Sequence, residues 1–215
     1  MSASASPADA GLIVADTVVV NYFVAVGEFE LLRQLLGGRV HVPRAVFDPD
    51  EPEDIAEDAA SELRRGLRLH RRRANDRGVG KELRERSARA LPNFERLTEH
   101  ASRGNLVALE LTPDEMRMYA KLRDKEFVAQ HSLIVGLGHG EAAALAIALE
   151  RDAALATDDQ DAITIGRGLF PGLGVHRIRG LLIRAAEQGL IDKKRAQTIH
   201  AAIVRAGFWE RGTID

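Results

Sequence analysis

Residues 154–162 read ALATDDQDA: a short apolar run stops at Thr157, and two aspartates, Asp158 and Asp159, follow at once. Asp16 stands in the same way at the end of GLIVA, residues 11–15. Glu141 opens an alanine-rich segment directly after GLGHG. One acid after an apolar run is commonly a turn residue or a helix cap. Three such places invite a second reading, in which the carboxylates gather at one site. Gathered carboxylates repel one another unless a cation lies between them, and an all-oxygen donor set suits the hard ions Mg2+ and Mn2+. Such an ion activates water and offsets charge on a phosphoryl group. Asp16, Glu141, Asp158 and Asp159 are therefore the candidate catalytic and metal-binding residues. GLGHG lacks the spacing and the preceding strand of a dinucleotide fingerprint.

The elements that must position these residues can be read from the hydrophobic pattern. GLIVAD (11–16), RVHVP (39–43), NLVALEL (105–111), DAALAT (152–157) and GVHRI (174–178) read as buried strands. EFELLRQLL (28–36) and EAAALAIALERD (141–152) read as helices, the second rich in strong helix formers. TVVVNYFVAVG (17–27) fits a helix or a strand, because its β-branched residues favour neither decisively. Thr112-Pro113-Asp114-Glu115 is a helix start, with Thr at the N-cap, Pro at the first position and Glu three residues on. That helix is expected to reach about Gln130. GLLIRAAEQGLI and KKRAQTIHAAIVRAG form a C-terminal helical pair over about 180–207. Strands alternating with helices predict a parallel sheet covered on both faces. In such a sheet ligands bind beyond the carboxyl ends of the strands, where Asp16, Asp158 and Asp159 would sit and toward which Glu141 can turn.

The chain has 215 residues, 45% hydrophobic and 29% charged, with a net charge of −2. The balance is that of a globular domain, so a nucleic-acid surface requires local segregation of charge. That segregation is present. Residues 48–58 hold seven acids and no base, whereas 61–104 hold thirteen Lys and Arg against six acids. The basic region reads as a helical insertion over about 50–104, with helices near 53–74 and 80–103 broken at NDRGVG. Arg64, Arg65, Arg68, Arg71, Arg72 and Arg73 are candidates to grip an RNA backbone; a docking surface for an acidic partner is the alternative. The acidic stretch can also fold onto these helices and mask them. The absence of cysteine excludes disulfides, thiolate metal sites and cysteine nucleophiles, and fits a cytoplasmic protein. No apolar run reaches membrane-spanning length. Residues 1–10 read as a disordered tail, and 11–215 as a single domain.

Three segments in order resemble the PIN-domain ribonucleases, the fold of VapC-type toxins. They are LIVADT, GLGHGEAAALAIALE and LATDDQDA, and VHRIRGLLIRAAEQGLI resembles the segment that closes one branch of that family. The resemblance implies an α/β three-layer fold with a central parallel sheet and Mg2+- or Mn2+-dependent cleavage of RNA. It also implies a role as the toxin of a toxin–antitoxin pair, with a cognate antitoxin as partner. By position, Asp16, Glu141 and Asp159 match the family's acidic ligands, with Asp158 beside them. Thr17 and Thr157 match its small hydroxyl positions at the RNA site. The family commonly carries a further glutamate after V-P-x-x-V-x-x. Here the stretch is VPRAVFDP and Pro49 holds that position, so Asp48 or Asp50 is the candidate replacement. The rival readings are a non-catalytic RNA- or protein-binding module on the same fold, and a general RNA-processing or DNA nuclease. PIN-like proteins often dimerise, and the apolar faces near Phe170 and in 181–208 are candidates for such a contact.

Overall fold

The computed structural model describes residues 11–131, 136–208 and 214; the expected N-terminal tail lies outside them. The chain runs β1 (Ile13–Ala15), α1 (Thr17–Ala25), α2 (Phe29–Leu35), β2 (Val40–Pro43), α3 (Glu62–Asn75), α4 (Lys81–Glu95), α5 (Leu97–Ser102), β3 (Leu106–Leu109), α6 (Pro113–Arg123), α7 (Lys125–Ala129), α8 (His139–Glu150), β4 (Ala154–Ala156), α9 (Gln160–Leu169), β5 (Val175–His176), α10 (Ile178–Glu187) and α11 (Lys193–Arg205). All five strands pair in parallel, in the order β3-β2-β1-β4-β5. From β1 the chain first builds outward through β2 and β3, then returns to the other side of β1 with β4. The carboxyl ends of β1 and β4 therefore flank the point where strand order reverses, the crevice where open parallel sheets bind ligands.

Short, buried strands need cover on both faces, and the pleat divides their side chains between two cores. Ile13 and Ala15 face one core with α1, α2, α10 and α11, together with Leu63, Ala90 and Phe94 from α3 and α4. Val14 and Leu155 face the other with α6, α8 and α9. This is a three-layer α/β architecture. Helix α8 is buried from Gly140 through Ala148, with only Glu141 at its start part-exposed. A helix enclosed on nearly every side must be apolar almost throughout, and its alanines let it lie close against the sheet.

Helix α1 resolves the ambiguity of TVVVNYFVA. Burial of Val19, Val20, Phe23 and Val24 and a side-chain cap from Asp16 outweigh the mild helix penalty of its β-branched residues. Helices α3 and α4 form the hairpin of the basic insertion and pack on α1. Its acidic approach is not helical, because α3 starts at Glu62 rather than near 53. The second insertion helix breaks at Arg96 into α4 and α5. The helix from Thr112 has the expected capping box but stops at Arg123, where Asp124 caps α7 by accepting from the Glu126 and Phe127 amides. Helix α9 is not legible in the sequence, since QDAITIGRGL carries two glycines and a polar start. The proposed dimer face in 181–208 is corrected. Leu181, Leu182, Ala185, Ala196, Ile199 and Ile203 are spent on the core, and Phe170 and Leu190 remain as exposed apolar side chains. Among the described residues, no helix is long and apolar enough to cross a membrane.

Candidate active site

Four helices begin near the strand-order reversal, and each carries an acid at its cap or in its first turn. Asp16 follows β1 and caps α1, its Oδ1 accepting from the Val19 amide at 3.0 Å. Asp159 follows β4 and caps α9, accepting from the Ala162 amide at 2.7 Å. Glu141 is the third residue of α8 and folds back to accept from the Gly138 amide at 2.9 Å. Glu62 is the first residue of α3. Its carboxylate accepts from the Gly140 amide at 2.9 Å and from the Thr17 hydroxyl. The positive end of each helix favours the acid placed there.

Charge from the other acids reaches Asp16 and Glu141. Asp16 is fully buried, and its carboxyl is pushed up to about 8. Loss of hydration is the main cause; the Thr157 hydroxyl and Val19 amide oppose it, and the charges of Glu141 and Asp159 add to it. Glu141 is raised by burial first, then by Asp159, with smaller contributions from Glu62 and Asp161. Thr157, itself buried, links two members: its hydroxyl donates to Asp16 and accepts from the Asp159 amide at 3.0 Å. Both hydroxyl candidates, Thr17 and Thr157, thus touch acids of the cluster.

Two expectations are corrected. Asp158 does not join the cluster. Its oxygens accept from Arg177 Nε at 2.9 Å and from the Ile178 amide at 2.6 Å, which fixes the start of α10. Asp48 and Asp50 do not replace the missing glutamate either, because both pair with Arg44. The acid that reaches the cluster from beyond β2 is Glu62, which in the sequence looks like a surface partner for nearby arginines. It does face Arg65, at 3.6 Å. Its signal is its place as the first acid of a helix, offset along the chain by the acidic stretch.

The glycine loop has a steric purpose. A Cβ on Gly140 would collide with the Glu62 carboxylate and the Thr17 hydroxyl, and one on Gly136 with the Arg123 backbone. Neither glycine has positive φ, so close approach rather than backbone freedom requires them. His139, between the glycines, has Nδ1 within 2.5 Å of the Tyr119 hydroxyl.

The acidic stretch lies on α3. Glu51, buried, pairs with Arg64 Nε at 2.7 Å and accepts from the Ser61 amide and hydroxyl. Arg68 donates to the Ile55 and Glu53 carbonyls, and Arg72 pairs with Glu57 at 3.2 Å. Arg71 pairs with Glu95 at 3.1 Å. Arg64 and Arg68 are therefore structural ties, which corrects their assignment as free RNA contacts. Arg71 and Arg72 hold only exposed pairs, which contribute little.

A PIN-domain family model matches residues 98–213, slightly more than half of the chain. The chain belongs to the PIN-domain family. No curated protein and no solved structure matches it. PIN domains are generally nucleases, and the parallel three-layer fold agrees with the family. The matched span holds Glu141, Thr157 and Asp159; Asp16 and Glu62 lie before it.

The oxygen-only donors suit a hard divalent ion, and a buried carboxyl pushed up in the company of other acids is what such an ion would relieve. As the side chains stand, no three acidic or histidine groups among the described residues form a set that could hold a metal ion. Glu62, Glu141 and Asp159 each rest on a backbone amide, so ion binding requires side-chain rotation.

Two outcomes are expected. Because folding raises Asp16 from 3.8 to about 8, its stabilising contribution is complete below about pH 4 and is lost as pH rises toward 8. Without metal, the melting temperature should fall between pH 5 and pH 8.5, and Asp16→Asn should flatten that fall. Mn2+ at a hundredfold excess over Kd should stabilise the wild type by about 2.7 kcal/mol, and a fixed Mn2+ concentration should stabilise it more at pH 8 than at pH 6. Thermal melts at the two pH values with and without Mn2+ read both effects. Gly140→Ala should displace Glu62 and reduce the Mn2+-induced shift to half or less of the wild-type value, while circular dichroism at 20 °C stays unchanged. A full wild-type shift in that variant would remove Glu62 from the site.

Proposed function

We propose that this PIN domain is a Mg2+- or Mn2+-dependent endoribonuclease and acts as the toxin of a toxin–antitoxin pair. The observation that carries the reading is the meeting of Asp16, Glu62, Glu141 and Asp159 at four helix starts beside the strand-order reversal. PIN nucleases usually use divalent metals, and the ion, when bound, supplies water activation and charge neutralisation at the phosphate. Asp16, Glu62, Glu141 and Asp159 would hold it. Thr157 orients Asp16 through its hydroxyl, and Thr17 holds Glu62. The amide groups at the four helix starts favour the anionic phosphate once the acids are neutralised. Outside the site, Arg71, Arg72 and Arg73 support an RNA grip, because exposed carboxylate pairs exchange readily for phosphate. An antitoxin would act by occupying the same crevice or the same arginines.

Purified wild type with Mn2+ should cleave a single-stranded RNA, and Asp16→Asn should lose at least about a hundredfold in rate while remaining folded, the scale of losing a main stabilising group. Equal cleavage by the two proteins sinks the reading. Binding of RNA without cleavage by the wild type would favour a binding module, and preferential cleavage of DNA would reassign the substrate. Replacing Arg71, Arg72 and Arg73 with Ala should weaken RNA binding and reduce the slope of log K against log salt by about 0.7 for each phosphate that is no longer neutralised. A titration at four salt concentrations reads this, and an unchanged slope excludes these arginines from the RNA path.

A further inference from the structure

A cavity of about 460 Å3 lies where the end of α1 meets α4 and the end of α11. Three arginines line it, Arg86 and Arg89 from α4 and Arg205 from α11, against one acid, Glu82. Arg64 and Arg68 on α3 are spent on the acidic stretch; among the described residues, none of these three is in an ion pair. Helix ends hold the group together instead. Arg86 Nη1 donates to the Arg205 carbonyl at 3.0 Å, and Asn93 ties α4 to α1 by donating to the Ala25 carbonyl at 3.3 Å. The carboxyl end of a helix carries about half a negative charge. Two such ends and Glu82 offset about two of the three positive charges, so the cavity is net positive. Arg89 and Arg205 are exposed, and their guanidinium groups are open to a ligand.

Two neighbours join the cavity to the surface on either side of it. Burial, then the charges of Arg73 and Arg86, hold the His70 imidazole below its usual range, so Arg86 continues the positive surface that begins at the end of α3. Arg86 also reaches Tyr22, which lines the crevice beside Asp159 together with Thr17. Helix α1 has nine residues, Thr17–Ala25, and is therefore about 14 Å long. Its start meets the carboxylates and its end meets the arginines. The planar fork of a guanidinium matches the oxygens of a phosphate. We propose that the cavity among α1, α4 and α11 is a second contact point for RNA, where Arg86, Arg89 and Arg205 hold a backbone phosphate while the strand continues along α1 to the carboxylate crevice. The alignment of the two sites along one helix favours a linear polyanion over a compact acidic protein. Contacts of this kind position the strand without reading its sequence. The inference rests on the ribonuclease reading for its biological use, and its binding chemistry can be tested without cleavage.

The test uses the full chain with Ca2+, a hard cation that takes oxygen donors and so neutralises the acids. The probe is a 5′-labelled twelve-nucleotide oligouridylate read by fluorescence anisotropy, and a gel of the same samples checks that it stays intact. Arg89→Ala/Arg205→Ala should bind the probe about tenfold more weakly than wild type at low salt, the scale of a single charge-assisted hydrogen bond. The gap should narrow as salt rises. Lys193→Ala/Lys194→Ala removes the same charge at the opposite end of α11 and should bind as wild type does. Arg86 stays in place because its bond to the Arg205 carbonyl ties α4 to α11. All three proteins should show the same Ca2+-induced melting shift, which reports an intact fold and carboxylate cluster. Equal loss of affinity in the two variants, or no loss in the arginine variant, overturns the proposal; the second result would leave the cavity to an acidic protein partner. Absence of cleavage in the separate Mn2+ assay, with the loss confined to the arginine variant, would overturn the nuclease reading and leave this RNA contact standing.

Discussion

Mutual repulsion among acids is the constraint around which this molecule is organised. Asp16, Glu62, Glu141 and Asp159 come from four distant stretches, and nothing in their own chemistry draws them together. Four helix starts do so, each offering a positive end and free amide groups. The parallel sheet makes this possible, since its connections return helix starts to the same edge. The like charges of Glu141 and Asp159 remain partly unrelieved and add to the elevation of Asp16 that burial begins. That residual repulsion is held in place by the two cores, with α8 buried along nearly its whole length.

The arrangement explains which parts of the site are legible in the sequence. Asp16 and Asp159 are legible because each combines two local signals, the end of an apolar run and the start of a helix. Glu141 is legible because its helix has so strong a composition. Glu62 is hidden. Its distance from β2 is set by a non-helical acidic stretch, and among arginines an acid reads as a surface pair. The choice between Asp158 and Asp159 cannot be made locally, since adjacent side chains diverge at a turn and the deciding partners, Arg177 and Ile178, come later in the chain. The sheet and most helices follow from periodicity. The breaks at Arg96 and Asp124 do not, because they fall within otherwise continuous helical patterns, and at Asp124 a single side chain decides the cap.

Charge segregation along the sequence takes a different form in space. The acidic stretch and the basic helix that follows it are largely spent on each other, through Glu51, Arg64, Arg68 and Glu57. These contacts brace the start of α3, where Glu62 enters the site. A basic composition is therefore a poor count of available cations; the remaining capacity lies in the exposed arginines toward the end of α3.

The position of Glu62 has a consequence for how the molecule can be divided. The helical insertion would ordinarily be regarded as an accessory, removable to leave a minimal core. Here it supplies Glu62 to the carboxylate cluster, so excision would remove one of the four acids along with the ornament.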